Sequence, residues 1–194
     1  EKSTGKLLYP ISEIKESAAE LGMITSSMDD DDIIRRAKLF FTFDKEYFNS
    51  LGLSPLFLDL FQNPAKHIAE GKDFSELIID TLGKSISSLQ ADETLNLRFQ
   101  SSIDDYLPYR ASDILKSYYA LSRGEEPLIP PENFKDTYCF FALYAPGLYD
   151  ICSIPNNQVY PGVGIHITLL DNLLNNQFIH KTSWYICVLW ILLL

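Results

Sequence analysis

The sequence predicts an α/β fold: a mixed sheet flanked by helices, in a single domain that ends in the start of a transmembrane helix. Three observations carry this expectation. Short apolar runs alternate along the chain with segments of helical periodicity. The 194 residues are 46% apolar, enough for one sizeable core. The last stretch, 184–194 (WYICVLWILLL), carries no charge at all.

The elements follow in order. Residues 11–21 place Ile11, Ile14, Ala18 and Leu21 at helical spacing, with Ser12 as N-cap and Gly22 just past the end. Residues 23–25 start a strand, and 28–32 form an acidic turn. Residues 37–43 (AKLFFTF) read as a strand. Residues 54–61 read as a helix, with Pro55 tolerated in the first turn because its missing N–H has no helical partner there. Residues 63–72 are polar and end that helix; 74–82 and 85–89 are weaker apolar segments. Residues 95–99 read as a strand, 112–121 as a helix capped by Ser112, and 124–131 (GEEPLIPP) as a loop.

The most informative stretch is 134–179. Its aromatic run 138–144 reads as a buried strand, and Ala145-Pro146-Gly147 ends it, since proline lacks an N–H and glycine favours turns. A loop leads to Pro161. Beyond it, Val163, Ile167, Leu170, Leu173 and Leu174 recur with helical spacing over 163–175.

Charge and composition narrow the function. A formal charge of −10 opposes binding to a nucleic-acid backbone or to anionic lipid, both of which need a basic surface. Cys139, Cys152 and Cys187 form no CxxC and no zinc spacing with the three histidines, so no metal and no cofactor is expected. Cys139 reads as a buried thiol; a Cys139–Cys152 disulfide stays open. The N-terminus has no secretory apolar region. Residues 184–194 are about half of the ~20 that span a bilayer. They read either as a buried terminal element or as the first half of a membrane helix. Two tryptophans and a tyrosine following His180-Lys181 favour the second. The expected division is a domain over 1–181 and a membrane helix starting at 182–194.

Candidate sites are few. Asp29, Asp30, Asp31 and Asp32 could offer carboxylate oxygens to a cation. They lack EF-hand spacing, and a solvated turn neutralised by Arg35 and Arg36 is the simpler reading. Asp150 lies at the end of the expected strand, on the side where open α/β sheets bind ligands. His166 lies at the loop-to-helix entry, where it could act as acid, base or ligand, or simply pack against a backbone carbonyl. Asp150 and His166 pair as the best polar candidates; Tyr149 and Asn172, on the same loop and helix, complete a candidate ligand-binding set. They equally could hold the loop. Ser112 and Ser153 lack a nucleophile elbow, His67 and His180 have no sequence partner, and no phosphate-binding, dinucleotide or zinc-protease motif occurs. No catalytic residue is expected.

The 134–179 unit resembles the C-terminal half of CHASE2 domains, extracytoplasmic sensor modules of bacterial membrane receptors. Phe134, Ala145, Gly147, Leu148 and Asp150 match the first block; Pro155, then Pro161, Gly162, Val163, Ile165 and His166, the next; Asp171, Asn172 and Leu173 the helix. Ala142, Ile154 and Ile167 depart from the usual glycine, threonine and alanine. Earlier, Leu8-Tyr9-Pro10, Ala18 to Gly22 and Asp29 to Arg36 resemble the family's opening segments, with Asp32 in place of the usual glycine. Residues 95–99, and Tyr109 with Ala111 to Leu115, resemble its inner strand and following helix. In this likeness Asp29, Asp31 and Arg35 or Arg36 are fold-forming. The family's usual first βα units are missing, so the chain reads as a piece of a longer protein.

The resemblance implies a domain outside the cytoplasmic membrane that senses a small-molecule or protein signal. It also implies an output domain such as an adenylate or guanylate cyclase, a histidine or serine/threonine kinase, or a diguanylate cyclase, in a receptor that forms a homodimer. The 149–160 loop and the 163–175 helix are the expected moving parts. Two other readings are a periplasmic hydrolase using Asp150 and His166, and a dimerisation module without a ligand. A deep polar pocket would favour sensing; an exposed apolar face would favour dimerisation.

Overall fold

The computed structural model describes residues 7–60, 94–100, 102–143, 150–179, 182 and 184–193. The segments expected at 63–72, 74–82 and 85–89 lie outside them, as do Tyr149, His67 and His180.

Helix α1 spans Ser12–Ser17, shorter than the expected 11–21, and Ile11 rather than Ser12 is its N-cap residue. The chain turns extended at Ala18 because the next residues are used elsewhere. Met23 N–H donates to the Asn49 carbonyl at 2.7 Å, and Leu51 N–H donates to the Met23 carbonyl at 2.8 Å. Met23 thus forms one parallel bridge, to Ser50, in place of a strand. Gly22 permits this approach: a Cβ there would lie 2.6 Å from Leu51 Cα.

The strand expected over 37–43 divides at Leu39, which is fully buried. Strand β1 (Arg36–Lys38) pairs antiparallel with β4 (Thr94–Asn96), while β2 (Phe40–Phe43) pairs with β3 (Glu46–Asn49). The two-residue loop between β2 and β3, Asp44 and Lys45, has both φ angles positive, the geometry that matches strand twist in a tight hairpin. Helix α2 (Ser54–Leu60) seats Leu56 and Phe57 in the core, with Phe57 ring-to-ring against Phe40 at 5.9 Å.

After a capped 3-10 turn at Ile103–Tyr106, α3 spans Ala111–Ser122. Its N-cap residue is Arg110, with no side-chain cap, so Ser112 does not take that part. Ser117 ties the following loop back: its hydroxyl donates to the Asp113 carbonyl at 2.8 Å and accepts from Ile129 N–H at 2.9 Å. Leu115, Tyr118 and Tyr119 face solvent.

The buried strand expected over 138–144 is not seen. Within its described part, residues 138–143 join no ladder, Phe141 is 85% exposed, and Cys139 is exposed rather than packed. An aromatic run reports a preference for burial, but a strand also needs a partner edge. Where a loop was expected, β5 (Ile151–Ile154) and β6 (Asn157–Pro161) form a hairpin around Pro155-Asn156, with a register shift between Cys152 and Ile154. Helix α4 (Gly162–Asn175) follows at once and buries Ile165, Leu169 and Leu173 on the face that packs the core. Asn176 ends it in the left-handed conformation at φ 52.

Helices and strands mix as the sequence predicts. Among the described residues the pairing gives three two-stranded antiparallel sheets, with parallel contact only as single bridges, Met23 to Ser50 and Ile33 to Ser153. Helix α5 (Trp184–Leu193) is apolar throughout. Among the described residues no helix is long and apolar enough to cross a membrane.

Candidate functional site

Helix α4 carries two of the candidate residues, His166 and Asn172, and its start meets the third, Asp150, at the base of the β5–β6 hairpin. Asn172 is 1% exposed and fully engaged. Its Oδ1 accepts from Arg98 N–H at 2.7 Å, and its Nδ2 donates to the Arg98 carbonyl at 3.0 Å. The side chain therefore acts as a strand partner just beyond β4. On the same edge Leu97 bridges Phe178, and Ile179 N–H donates to the Asn96 carbonyl at 3.2 Å. Residue 98 would otherwise bring two main-chain groups to a part-buried edge without partners.

His166 is 6% exposed. Burial holds its pKa below the ordinary histidine value, with the Ile24 backbone and the Asp150 charge opposing in smaller part. Gly52 packs on the His166 main chain: a Cβ at residue 52 would lie 3.1 Å from both its Cα and its carbonyl carbon. Asp150 is exposed. Its backbone carbonyl accepts from Gly162 N–H at 3.0 Å, closing the hairpin, and its carboxylate fills the space beside Gly162.

Around these lies a hydroxyl network. Tyr160 and Thr168 share a hydrogen bond at 3.2 Å, and the Tyr106 hydroxyl donates to Asp171 Oδ2 at 3.3 Å. Burial pushes both tyrosines up, so both stay protonated. The Cys152 thiol, donating to the Tyr160 carbonyl at 3.3 Å, is pushed up to about 11 by burial and then by Asp150, which leaves little thiolate near neutral pH. All three cysteines are free.

Two of the four aspartates in the acidic turn, Asp29 and Asp31, are paired with the arginines that follow. Arg35 makes a two-pronged contact with Asp31, both arms at 2.7 Å, and reaches Asp29 at 2.9 Å; Arg36 meets Asp29 at 2.5 Å. The Arg35 contact holds the Asp31 carboxyl down to about 2. Asp32 closes the turn with φ 60, the left-handed conformation that the usual glycine would adopt freely. Among the described residues no cluster of histidine, cysteine or carboxylate groups could hold a metal.

Asp150 lies beside Gly162 at the start of α4, His166 one turn further in and Asn172 in the last turn, so the three are spread along the helix; Tyr149 lies outside the described residues. Sequence reasoning missed their partners. Ile24 and Arg98 contribute main-chain atoms, which leave no residue-type signal. A shallow depression of about 320 Å³ lined by Leu121, Glu126, Pro127 and Pro130 shares no residue with this set.

The fold and site define a mixed helix-and-strand domain in which a buried carboxamide locks the longest described helix to neighbouring backbone. Comparison with protein families identifies it further: the CHASE2 domain model matches residues 3–194, and the chain belongs to that family of extracytoplasmic sensor domains. No curated protein and no solved structure matches it.

Proposed function

We propose that this chain is the signal-sensing domain of a bacterial transmembrane receptor and regulates a cytoplasmic output domain, an adenylate or guanylate cyclase in the first instance. The observation that carries this reading is the family match across residues 3–194. Membrane attachment runs through 182–194, with α5 as the start of the spanning helix, and the domain itself lies in the periplasm. The candidate ligand set is Tyr149, Asp150, His166 and Asn172; of its described members Asp150 is exposed, while His166 and Asn172 are buried and would act by holding α4 in place. A signal that prefers one arrangement of the 149–160 segment and α4 would shift the receptor between two states.

The test is the parent gene on either side of these residues, followed by cyclic-nucleotide output from the intact receptor. Membrane spans flanking the domain and a cyclase beyond them support the proposal. Flanks without a span, or without a signalling domain, would overturn it.

A second reading, a dimerisation module, is supported by the apolar side chains that α3 and residues 138–143 leave in solvent, including Leu115, Tyr118, Tyr119 and Phe141. Its test is the mass of the intact receptor in detergent. A dimer disrupted by Tyr118→Glu supports it, and a monomer overturns it.

A further inference from the structure

The segment after α1 holds an acid that neither the turn nor the α4 site uses. Glu20 lies half-buried against the end of β3, where Asn49 Nδ2 donates to its Oε1. Asn49 is 2% exposed and Ser50 3%. Three buried atoms here have no partner: Glu20 Oε2, Asn49 Oδ1 and Ser50 Oγ.

An ionised Glu20 leaves two acceptors, Oε2 and Asn49 Oδ1, and the Ser50 hydroxyl, itself without a partner, donates to neither. Buried polar atoms in native proteins are satisfied, so an orphaned acceptor pair points to a missing proton. A carboxyl and a carboxamide can close a ring of two hydrogen bonds: the amide N–H donates to one carboxyl oxygen, and the carboxyl O–H donates to the amide oxygen. The first of these bonds is already present.

We infer that Glu20 carries a proton on Oε2 in the folded chain and closes an acid–amide pair with Asn49, a latch that holds residues 18–23 on β3 and loosens when the proton leaves. The residues it holds are those that carry the Met23 bridge to Ser50, and the backbone of Ile24, the next residue, lies beside the His166 ring on α4. Losing the latch therefore frees the segment that packs against the long helix.

Burial raises the pKa of Glu20, and the Asn49 N–H opposes this in smaller part. The neighbouring elements carry other charged or titratable groups: Glu13, Lys15 and Glu16 on α1, Asp44 and Lys45 in the hairpin turn, Glu46 and Tyr47 on β3. None of these is a cause of the shift. A raised acid stabilises the fold below the ordinary glutamate range, about 4.3, and this contribution is lost as pH rises through the folded-state value. The latch is thus shut in acid and open in alkali. It does not depend on the receptor reading, because its readout is proton occupancy.

The test is carbon-13 NMR of the glutamate carboxyl carbons across a pH titration of the full chain, with amide exchange at Met23 and Leu51 followed in the same samples. Glu20 is expected to titrate above the ordinary glutamate range. Protection at Met23 and Leu51 is expected to fall on the order of tenfold over that range, the worth of about one hydrogen bond. Glu20→Gln, which carries a permanent donor, is expected to keep that protection. Titration of Glu20 within or below the ordinary glutamate range overturns the proton assignment. Protection that stays level in the wild type, or that falls equally in Glu20→Gln, overturns the latch.

Discussion

Asn172 and Arg98, 74 residues apart, are joined by two hydrogen bonds from one carboxamide to one residue's main chain. Neither bond uses the arginine side chain. The pair continues the β4 edge two residues past its end using α4 itself, and this joins the longest helix described to the core.

Asn172→Ala is expected to destabilise the fold by roughly 1–3 kcal/mol for each main-chain group left unpaired. Asn172→Asp should be worse near neutral pH, because an ionised carboxylate accepts but cannot donate to the Arg98 carbonyl. Urea unfolding checks both. Arg98→Ala keeps its main chain and should cost much less; equal losses at the two positions would contradict the backbone role.

Two glycines should respond differently to alanine. At Gly52 the new Cβ meets the His166 main chain, which cannot move without moving α4. Overpacking of this kind costs about 1–3 kcal/mol. At Gly162 the Cβ meets the Asp150 carboxylate, the mobile end of an exposed side chain, so rotation relieves most of the clash. Thermal unfolding of Gly52→Ala and Gly162→Ala should rank them in that order.

Asp32 stands at φ 60. Glycine removes a strain of roughly 1–2 kcal/mol but loses about 0.5–1 kcal/mol through chain entropy. Asp32→Gly is therefore expected to be neutral to slightly stabilising, and Asp32→Ala destabilising relative to both. Denaturant midpoints decide the order.

His166 gives a pH dependence opposite in sign to that of Glu20. Its folded-state value is depressed by burial, so below about 6.5 the unfolded chain takes up the proton first. Stability from neutral His166 is complete above that range and declines as pH falls through it. His166→Gln should flatten the decline between pH 6.5 and the folded-state value, measured as denaturant midpoints across pH. A decline of unchanged size would assign it to another group.

Calcium should leave the chain's thermal midpoint unchanged at millimolar concentration. Asp29 and Asp31 are already paired with Arg35 and Arg36, so a cation would have to displace two guanidinium groups. An upward shift that disappears in Asp31→Asn would overturn this.

Much of the outline was legible in the sequence. The apolar spacing from Val163 to Leu174 located α4 within a residue, Pro55 located the first turn of α2, and the aspartate–arginine order anticipated the pairing of Asp29 and Asp31 with the arginines that follow. The 138–144 run was misread because aromatic content mimics a strand whether or not an edge is available. The β5–β6 hairpin was missed because Ile151 and Val159 leave apolar side chains exposed, which blurs the alternation that marks a strand.

The sequence by itself determined the family, the places of α2, α3 and α4 and the acidic turn, since these rest on spacing and on residue types a few positions apart. Only the tertiary structure decided where the polar side chains spend their hydrogen bonds. Asn172 meets a main chain 74 residues away, and Glu20 meets Asn49 across 29. Both partnerships depend on two distant backbones arriving at one place, and a backbone N–H or carbonyl has the same chemistry at every position, so no local pattern can announce which one will be there.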